Sequence, residues 1–178
     1  MEAIRSGTLV DRMIGAATLD EGTYEEIEAD GGALSQAALV VFLGALAAGI
    51  GALRGGPLAL ILGIIFALIG WAVYAYVAYW VGTRWFKKPI TQADWGELLR
   101  TLGYANSPRV LLVLGIIPVL GGVLSLVVLV WTLITTVVAI RHALDFDTWS
   151  AIATALVSWF ALFVVSFLFG VVLVGAIT

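Results

Sequence analysis

Long apolar stretches alternate with short polar joints along the chain, and the apolar stretches predict membrane-spanning helices. A helix needs about 20 apolar residues to cross the hydrocarbon core of a bilayer. Five segments are predicted to cross: residues 33–53, 57–81, 108–120, 122–141 and 149–176. The predicted fold class is all-α, a polytopic bundle of five membrane helices with cytoplasmic amphipathic helices.

The third of these helices is short because of breaks within one long apolar run. Residues 110–140 carry no charge, and as a single helix they would measure about 46 Å against about 30 Å of hydrocarbon. Pro118 and the pair Gly121-Gly122 break this run. The third helix then covers only about 20 Å. It either spans with shielding from its neighbours or forms the first limb of a re-entrant hairpin.

Two short amphipathic helices are predicted in the acidic N-terminal segment, residues 1–32, which precedes the membrane domain, residues 33–178. The first, residues 8–17, has apolar side chains at helical spacing: Leu9, Val10, Met13, Ile14 and Ala17. The second opens with Thr23 and Glu26, a pair that fits a capping box.

A third amphipathic helix, residues 91–102, is predicted between the second and third membrane helices. Thr91 caps it, and Asp94 is in its first turn. A helix of this kind between two spans is expected to lie flat on the membrane surface, where its apolar stripe meets lipid or a partner. The stripe is Trp95, Leu98, Leu99 and Leu102. Basic residues that suit anionic lipid headgroups precede it: Arg84, Lys87 and Lys88.

The sequence GYANSP, residues 103–108, joins this helix to the third membrane helix. Gly103 is placed where a helix C-cap favours a residue with positive φ. Ser107 is suited to cap the next helix, and Pro108 fits its first position. This reading of the segment as a stop–start joint leaves Tyr104 and Asn106 without a role.

Small and hydroxyl side chains inside the membrane helices predict packing contacts. Small residues on one face of the first helix allow close approach of a neighbour: Gly44, Ala48 and Ala52. Hydroxyls pair on faces of the fourth and fifth helices, as Thr132 with Thr136 and Thr154 with Ser158. They either join helices by hydrogen bonds or line a path through the membrane.

Composition and charge support an integral membrane protein and orient it. Of the 178 residues, 62% are hydrophobic and 12% are charged, and the mean hydropathy is +1.09, whereas soluble domains are about a quarter charged. With five spans, eight of the nine Lys and Arg residues fall on one side. The positive-inside rule then places the N-terminus in the cytoplasm and the C-terminus outside. In a prokaryote the membrane would be the inner membrane.

The chemistry available to the chain argues against an enzyme. It has no cysteine and one histidine, His142, and we expect no catalytic site, metal, cofactor or nucleic acid. No charged side chain is predicted inside a span, which argues against a proton- or ion-coupled carrier. The acidic run at residues 20–30 is either a solvated face or a weak site for a divalent cation.

Gly103, Tyr104 and Pro108, with Trp95 before them and the Ile117-Pro118 break after them, resemble the signature of the Yip family. The resemblance covers roughly residues 35–178. It implies a small five-span membrane protein with a cytoplasmic N-terminus, related to eukaryotic members that interact with Rab-type GTPases. Those members carry an Asp-Leu-Tyr-Gly-Pro element that this chain lacks. The resemblance to the family's bacterial branch therefore does not extend to Rab binding.

These observations favour a non-enzymatic membrane scaffold that binds protein partners through its cytoplasmic face. Two alternatives stay open. One is an accessory subunit of a larger membrane complex or a homo-oligomer. The other is a passive pore or lipid-handling protein that uses the short third helix and the hydroxyls.

Overall fold

The computed structural model describes residues 7–52, 56–86, 94–117 and 120–177, with side chains as far as Val164 except that of Ala52. In these ranges the protein is all-α, as predicted, and contains no strand. The helices are α1 (Leu9–Ala17), α2 (Glu21–Ala29), α3 (Leu34–Ala52), α4 (Gly56–Trp85), α5 (Trp95–Tyr104), α6 (Gly121–Ala143) and α7 (Thr148–Ile177). A 3₁₀ turn, Gly31–Ala33, precedes α3, and a longer 3₁₀ segment, Ser107–Ile116, precedes α6.

Three helical stretches in the described ranges are long and apolar enough to cross a membrane: Gly31–Gly51, Gly56–Trp85 and Gly121–Ala143. The stretch Thr148–Val164 of α7 is apolar but shorter. Five crossings therefore stay a prediction. We call the end of the bundle that carries α1, α2 and α5 the polar end. α3, the 3₁₀ segment and α7 begin there, and α4 and α6 end there.

Side-chain caps explain where the two N-terminal helices begin. Thr8 and Asp11 form a capping box for α1, because the Asp11 N–H donates to Thr8 Oγ1 and the Thr8 N–H donates to Asp11 Oδ2. α2 is capped by Asp20, whose Oδ1 accepts from the Thr23 N–H at 2.8 Å. The predicted capping box of Thr23 and Glu26 is therefore wrong, since Thr23 already lies inside the first turn of the helix.

The predicted third membrane helix, residues 108–120, is a 3₁₀ segment that ends at Ile116. A 3₁₀ helix rises about 2.0 Å per residue instead of about 1.5 Å. Its ten residues therefore cover about 20 Å. It runs parallel to α3, because Arg109 lies beside Gly44 and Leu112 lies beside Gly51. The extended geometry lets a short segment reach almost to the far end of α3.

α5 is packed inside the polar end, whereas the sequence predicted a helix lying flat on the membrane surface. It contacts α2, α3, α4 and α6. The Trp71 indole N–H donates to Leu99 O at 3.1 Å, and Arg100 donates to the carbonyls of Ile27 and Glu28. Asp94 caps α5, and its N–H donates to Glu97 Oε2. The predicted cap, Thr91, lies outside the described residues.

Candidate functional site

Gly103 allows α5 to lie directly on α3. A Cβ on Gly103 would come within 2.6 Å of the Cβ of Ala37 and within 3.0 Å of its Cα. Gly103 is helical and is not among the residues with positive φ. The predicted C-cap role is therefore wrong, and this glycine is required by close helix packing.

Tyr104 connects the end of α5 to the N-terminal helices. Its side chain is fully buried, and its hydroxyl donates to Gln36 Oε1 at 2.6 Å. The same oxygen accepts from Arg12 Nη1 at 3.3 Å. Burial raises the pKa of Tyr104, although its hydrogen bond with Arg12 opposes that shift. Tyr104 therefore stays neutral and ties α5 to α1 and α3 through Gln36.

Arg12 is the centre of a buried polar network at the polar end. Its guanidinium is 4% exposed and lies 2.8 Å from both Glu26 Oε1 and Asp30 Oδ2. Burial lowers the pKa of Arg12, but the hydrogen bonds that it donates to Glu26 and Asp30 raise it above its ordinary value. Glu26 Oε1 also accepts from the Gly7 N–H at 3.0 Å. One cation thus fixes α1, α2 and the start of α3 against one another.

The remaining residues of the GYANSP joint form a tight turn. Asn106 occupies the N-cap position of the 3₁₀ segment without a side-chain capping bond, and its Nδ2 donates to Leu102 O at 2.8 Å. Ser107 Oγ donates to Tyr104 O at 2.6 Å, so Ser107 does not take the predicted N-cap position. Pro108 is fully buried at the start of the segment. On the neighbouring helix, Thr135 Oγ1 donates to Ala105 O at 2.7 Å, which joins the turn to α6.

Two aromatic side chains hold the α1–α2 pair against α6. The Tyr24 hydroxyl lies 3.0 Å from Ala16 O and 3.3 Å from Thr135 O, and the side chain is fully buried. The Trp131 indole N–H donates to Ala17 O at 2.7 Å. The His142 ring stacks on Tyr24, with centroids 5.6 Å apart. His142 of α6 is thus packed against α2.

The outer face of α2 carries exposed carboxylates. Asp20, Glu21 and Glu25 are exposed, and Glu21 forms an ion pair with Arg141 of α6. On the inner side, burial raises the pKa of Glu28 to about 7, and repulsion by Glu97 and Asp145 adds to the shift. In the described ranges no group of three His, Cys, Asp or Glu side chains could hold a metal ion.

The predicted partner or lipid surface is mostly buried. Leu98, Leu99 and Leu102 belong to the core of the polar end, and only Trp95 of this stripe is exposed, at 42%. Helix α5 is amphipathic because its apolar stripe faces α3 and α4, and not because the stripe faces lipid. Arg84 is exposed. Lys87 and Lys88 lie outside the described residues.

The small-residue face of α3 packs within the chain. Gly44 is buried, and a Cβ there would lie 3.1 Å from Arg109 Cβ. At Gly51 an added Cβ would lie 2.1 Å from Leu112 O. Ala48 is half-buried between them, and Ala52 ends the helix. The partner of this face is the 3₁₀ segment.

The hydroxyls of α6 and of α7 as far as Val164 do not line one path. Thr132 and Thr136 face a cavity between α4, α6 and α7. Thr154 and Ser158 are fully buried, and neither lines that cavity. Ser125 Oγ donates to Gly121 O of its own helix. Thr135 serves as a link to the GYANSP joint.

The sequence did not predict the buried network of Arg12 and Gln36. Arg12 lies four residues before Ala16, and both are buried. The predicted apolar positions Val10 and Ile14 are instead more than half exposed. One sequence feature could have indicated the burial of Arg12: it is a charged residue among the apolar positions of a short helix. Its meaning depends on which face of α1 meets the bundle, and local spacing does not contain that information.

Comparison with known proteins identifies one family. The model of the Yip1 domain matches residues 20–170, a range that includes α2, the GYANSP joint and the membrane helices. No curated protein and no solved structure matches the chain.

Proposed function

Because the chain belongs to the Yip1 domain family and is an integral membrane protein, we propose that it is a non-enzymatic membrane-organising scaffold. In this proposal it binds protein partners through the polar end, which faces the cytoplasm. The observation that most supports the scaffold proposal is that the α1–α2 pair is anchored to the rest of the bundle. Tyr24 and Arg12 are almost completely inaccessible, and they bond to two other elements of the bundle, α6 and α3.

A surface held in this way is suited to recognition. The exposed carboxylates of α2 stand on a helix that the core fixes, so binding would order few side chains and would lose little conformational entropy. Their charge favours a basic segment of a partner protein, which they would also attract before contact. The buried Leu98, Leu99 and Leu102 leave α2, and not α5, as the face we expect a partner to use.

Stoichiometric co-purification in a mild detergent, compared between variants, tests the scaffold. Glu25→Lys reverses one charge on the exposed face of α2 and should reduce the bound partner at least about fivefold, because like charges across an interface repel. Ser35→Lys adds a cation to the exposed first turn of α3, outside that face, and should leave binding unchanged. Absence of a stoichiometric protein, or equal loss in both variants, would contradict the scaffold.

A second candidate is an accessory subunit or a homo-oligomer, and α4 favours it. Only 6% of its most apolar window is buried, compared with 39% for the first span. This helix therefore presents most of its surface to lipid or to another membrane helix. A partner that survives Glu25→Lys but is lost when Ile65 or Ile69, both exposed on α4, is replaced by Trp would indicate contact through α4.

A further inference from the structure

One cation lies beside the middle of the first candidate membrane span, Gly31–Gly51. Arg109 belongs to the 3₁₀ segment and lies beside Gly44, about 15 Å along α3 from its first residue. Among the residues that the structure describes, no carboxylate pairs with Arg109, and its Nη1 donates to Asn106 Oδ1 at 3.2 Å. Charged groups at this depth are costly and usually mark a function.

Arg109 lines a cavity of about 520 Å³ between α4, α6 and α7. This is within the usual volume range of small-molecule sites. Its polar residues include Asn106, Thr132 and Thr136. The Thr132 hydroxyl is buried and has no hydrogen-bond partner among the described residues. A buried hydroxyl without a partner costs about 1–3 kcal/mol, so a ligand oxygen beside it would relieve that cost.

The rim of the cavity is apolar and open to the side of the bundle. Phe66, Leu129, Leu156 and Trp159 line it and are each more than half exposed. A ligand that fits must therefore present a negative polar group to Arg109 and an apolar chain to the rim. Among molecules beside a membrane protein, a phospholipid has both parts. A soluble phosphate lacks the apolar part.

We propose that this cavity is a binding site for one anionic phospholipid, whose phosphate meets Arg109 and Thr132 and whose acyl chain passes between α4 and α7. The guanidinium would donate two parallel hydrogen bonds to the phosphate oxygens, which arginine does better than lysine. The site is separate from the α2 face of the scaffold proposal and does not depend on it.

The structure supplies a matched pair of variants that fill or spare the cavity. Gly70 and Gly63 both lie on α4, and a Cβ added to either meets no atom within 4 Å. Only Gly70 lines the cavity. Gly70→Leu therefore occupies the site without removing a native contact, and Gly63→Leu adds the same side chain elsewhere on the helix.

The test is native mass spectrometry of the purified full chain, titrated with phosphatidylglycerol or phosphatidylcholine in detergent. We expect one tightly bound phosphatidylglycerol per chain and weaker binding of phosphatidylcholine. Arg109→Gln should weaken the binding of phosphatidylglycerol at least about tenfold, since hydrogen bonds to charged groups are the stronger ones. Gly70→Leu should also weaken it. Gly63→Leu and Arg84→Gln, which removes an exposed arginine, should not.

Unchanged lipid binding in both Arg109→Gln and Gly70→Leu would overturn the proposal. Equal loss in Arg84→Gln would do so as well, because it would indicate general attraction of anionic lipid to the surface. Glycerol phosphate that competes at the same concentration as the lipid would show a soluble-anion site and would also overturn it. If Arg109→Gln does not fold, Gly70→Leu and Gly63→Leu still test the proposal, because equal lipid binding by these two variants would overturn it.

Discussion

At Gly103 the missing side chain is what lets α5 rest on α3. Gly103→Ala would place a methyl group 2.6 Å from the Ala37 Cβ and 3.0 Å from its backbone Cα. Backbone cannot move aside cheaply, and overpacking of this kind typically costs about 1–3 kcal/mol. We expect a lower melting temperature of the detergent-solubilised protein, measured in a thermal-shift assay.

Gly63→Ala is the control for this prediction. It makes the same chemical change on α4, where the added Cβ meets nothing within 4 Å. Because alanine favours a helix over glycine, this variant should be neutral or more stable by up to about 1 kcal/mol. A Gly103→Ala protein as stable as the wild type would show that the α3–α5 contact is not tight.

Glu28 makes the stability of the polar end depend on pH. Burial, with repulsion from Glu97 and Asp145, raises the native pKa of Glu28 to about 7, from 4.5 for a free side chain. Between these values the native state keeps a proton that the unfolded state releases, so the free energy of unfolding falls as pH rises. Glu28→Gln should remove that fall and give a more stable protein at pH 8.

Melting temperatures measured from pH 4.5 to pH 8 test this prediction. Asp30 acts in the opposite direction, since its hydrogen bond from Arg12 lowers its pKa below 3.8, and its effect is confined to more acid solution. Glu25→Gln removes an exposed carboxylate of the same helix and should keep most of the decline. Parallel curves for wild type and Glu28→Gln would contradict the assignment.

Among the elements, the 3₁₀ segment depends most on its neighbour. A Cβ on Gly51 would lie 2.1 Å from Leu112 O and 3.2 Å from Leu112 C, both backbone atoms. Gly51→Ala should therefore push the segment away from α3 and lower the melting temperature more than Gly103→Ala does, where the nearest atom is a side chain. Gly63→Ala again serves as the control. Equal melting temperatures for Gly51→Ala and the wild type would argue against parallel packing of these elements.

Much of the element pattern could be predicted from sequence, because a run of about 20 apolar residues or a break at Gly and Pro is a local property. The bounds of α3, α4 and α6 lie close to those predicted. The role of Gly103 and the burial of Leu98 and Leu102 could not be predicted, since both depend on which elements meet. An amphipathic stripe has the same spacing whether it faces lipid or the core of a bundle. Tyr104 was left without a role for the same reason, since its partner Gln36 is 68 residues away in sequence.

At the scale of the whole molecule, the polar end and the membrane helices form one packed unit. The core of buried residues runs from Ala16 and Tyr24 through Ala37 and Leu98 to Ile140. The helices of the acidic N-terminal segment are therefore part of the bundle's packing. Loss of Arg12 or Tyr24 should consequently disturb the membrane helices as well as α1 and α2.

The number of crossings is the whole-molecule prediction that a labelling experiment decides. α7 begins at the polar end, and its 30 helical residues extend for about 45 Å, enough to cross a bilayer. Five crossings place Glu25 and Thr178 on opposite sides of the membrane.

The chain has no cysteine, so Glu25→Cys, Thr178→Cys and Trp149→Cys each carry one thiol. A membrane-impermeant maleimide applied to intact cells should label Thr178→Cys alone, with all three labelled after permeabilisation. Trp149 is 80% exposed at the start of α7, and its cysteine should follow Glu25→Cys in every condition. Labelling of Thr178→Cys together with Glu25→Cys would mean that α7 does not cross.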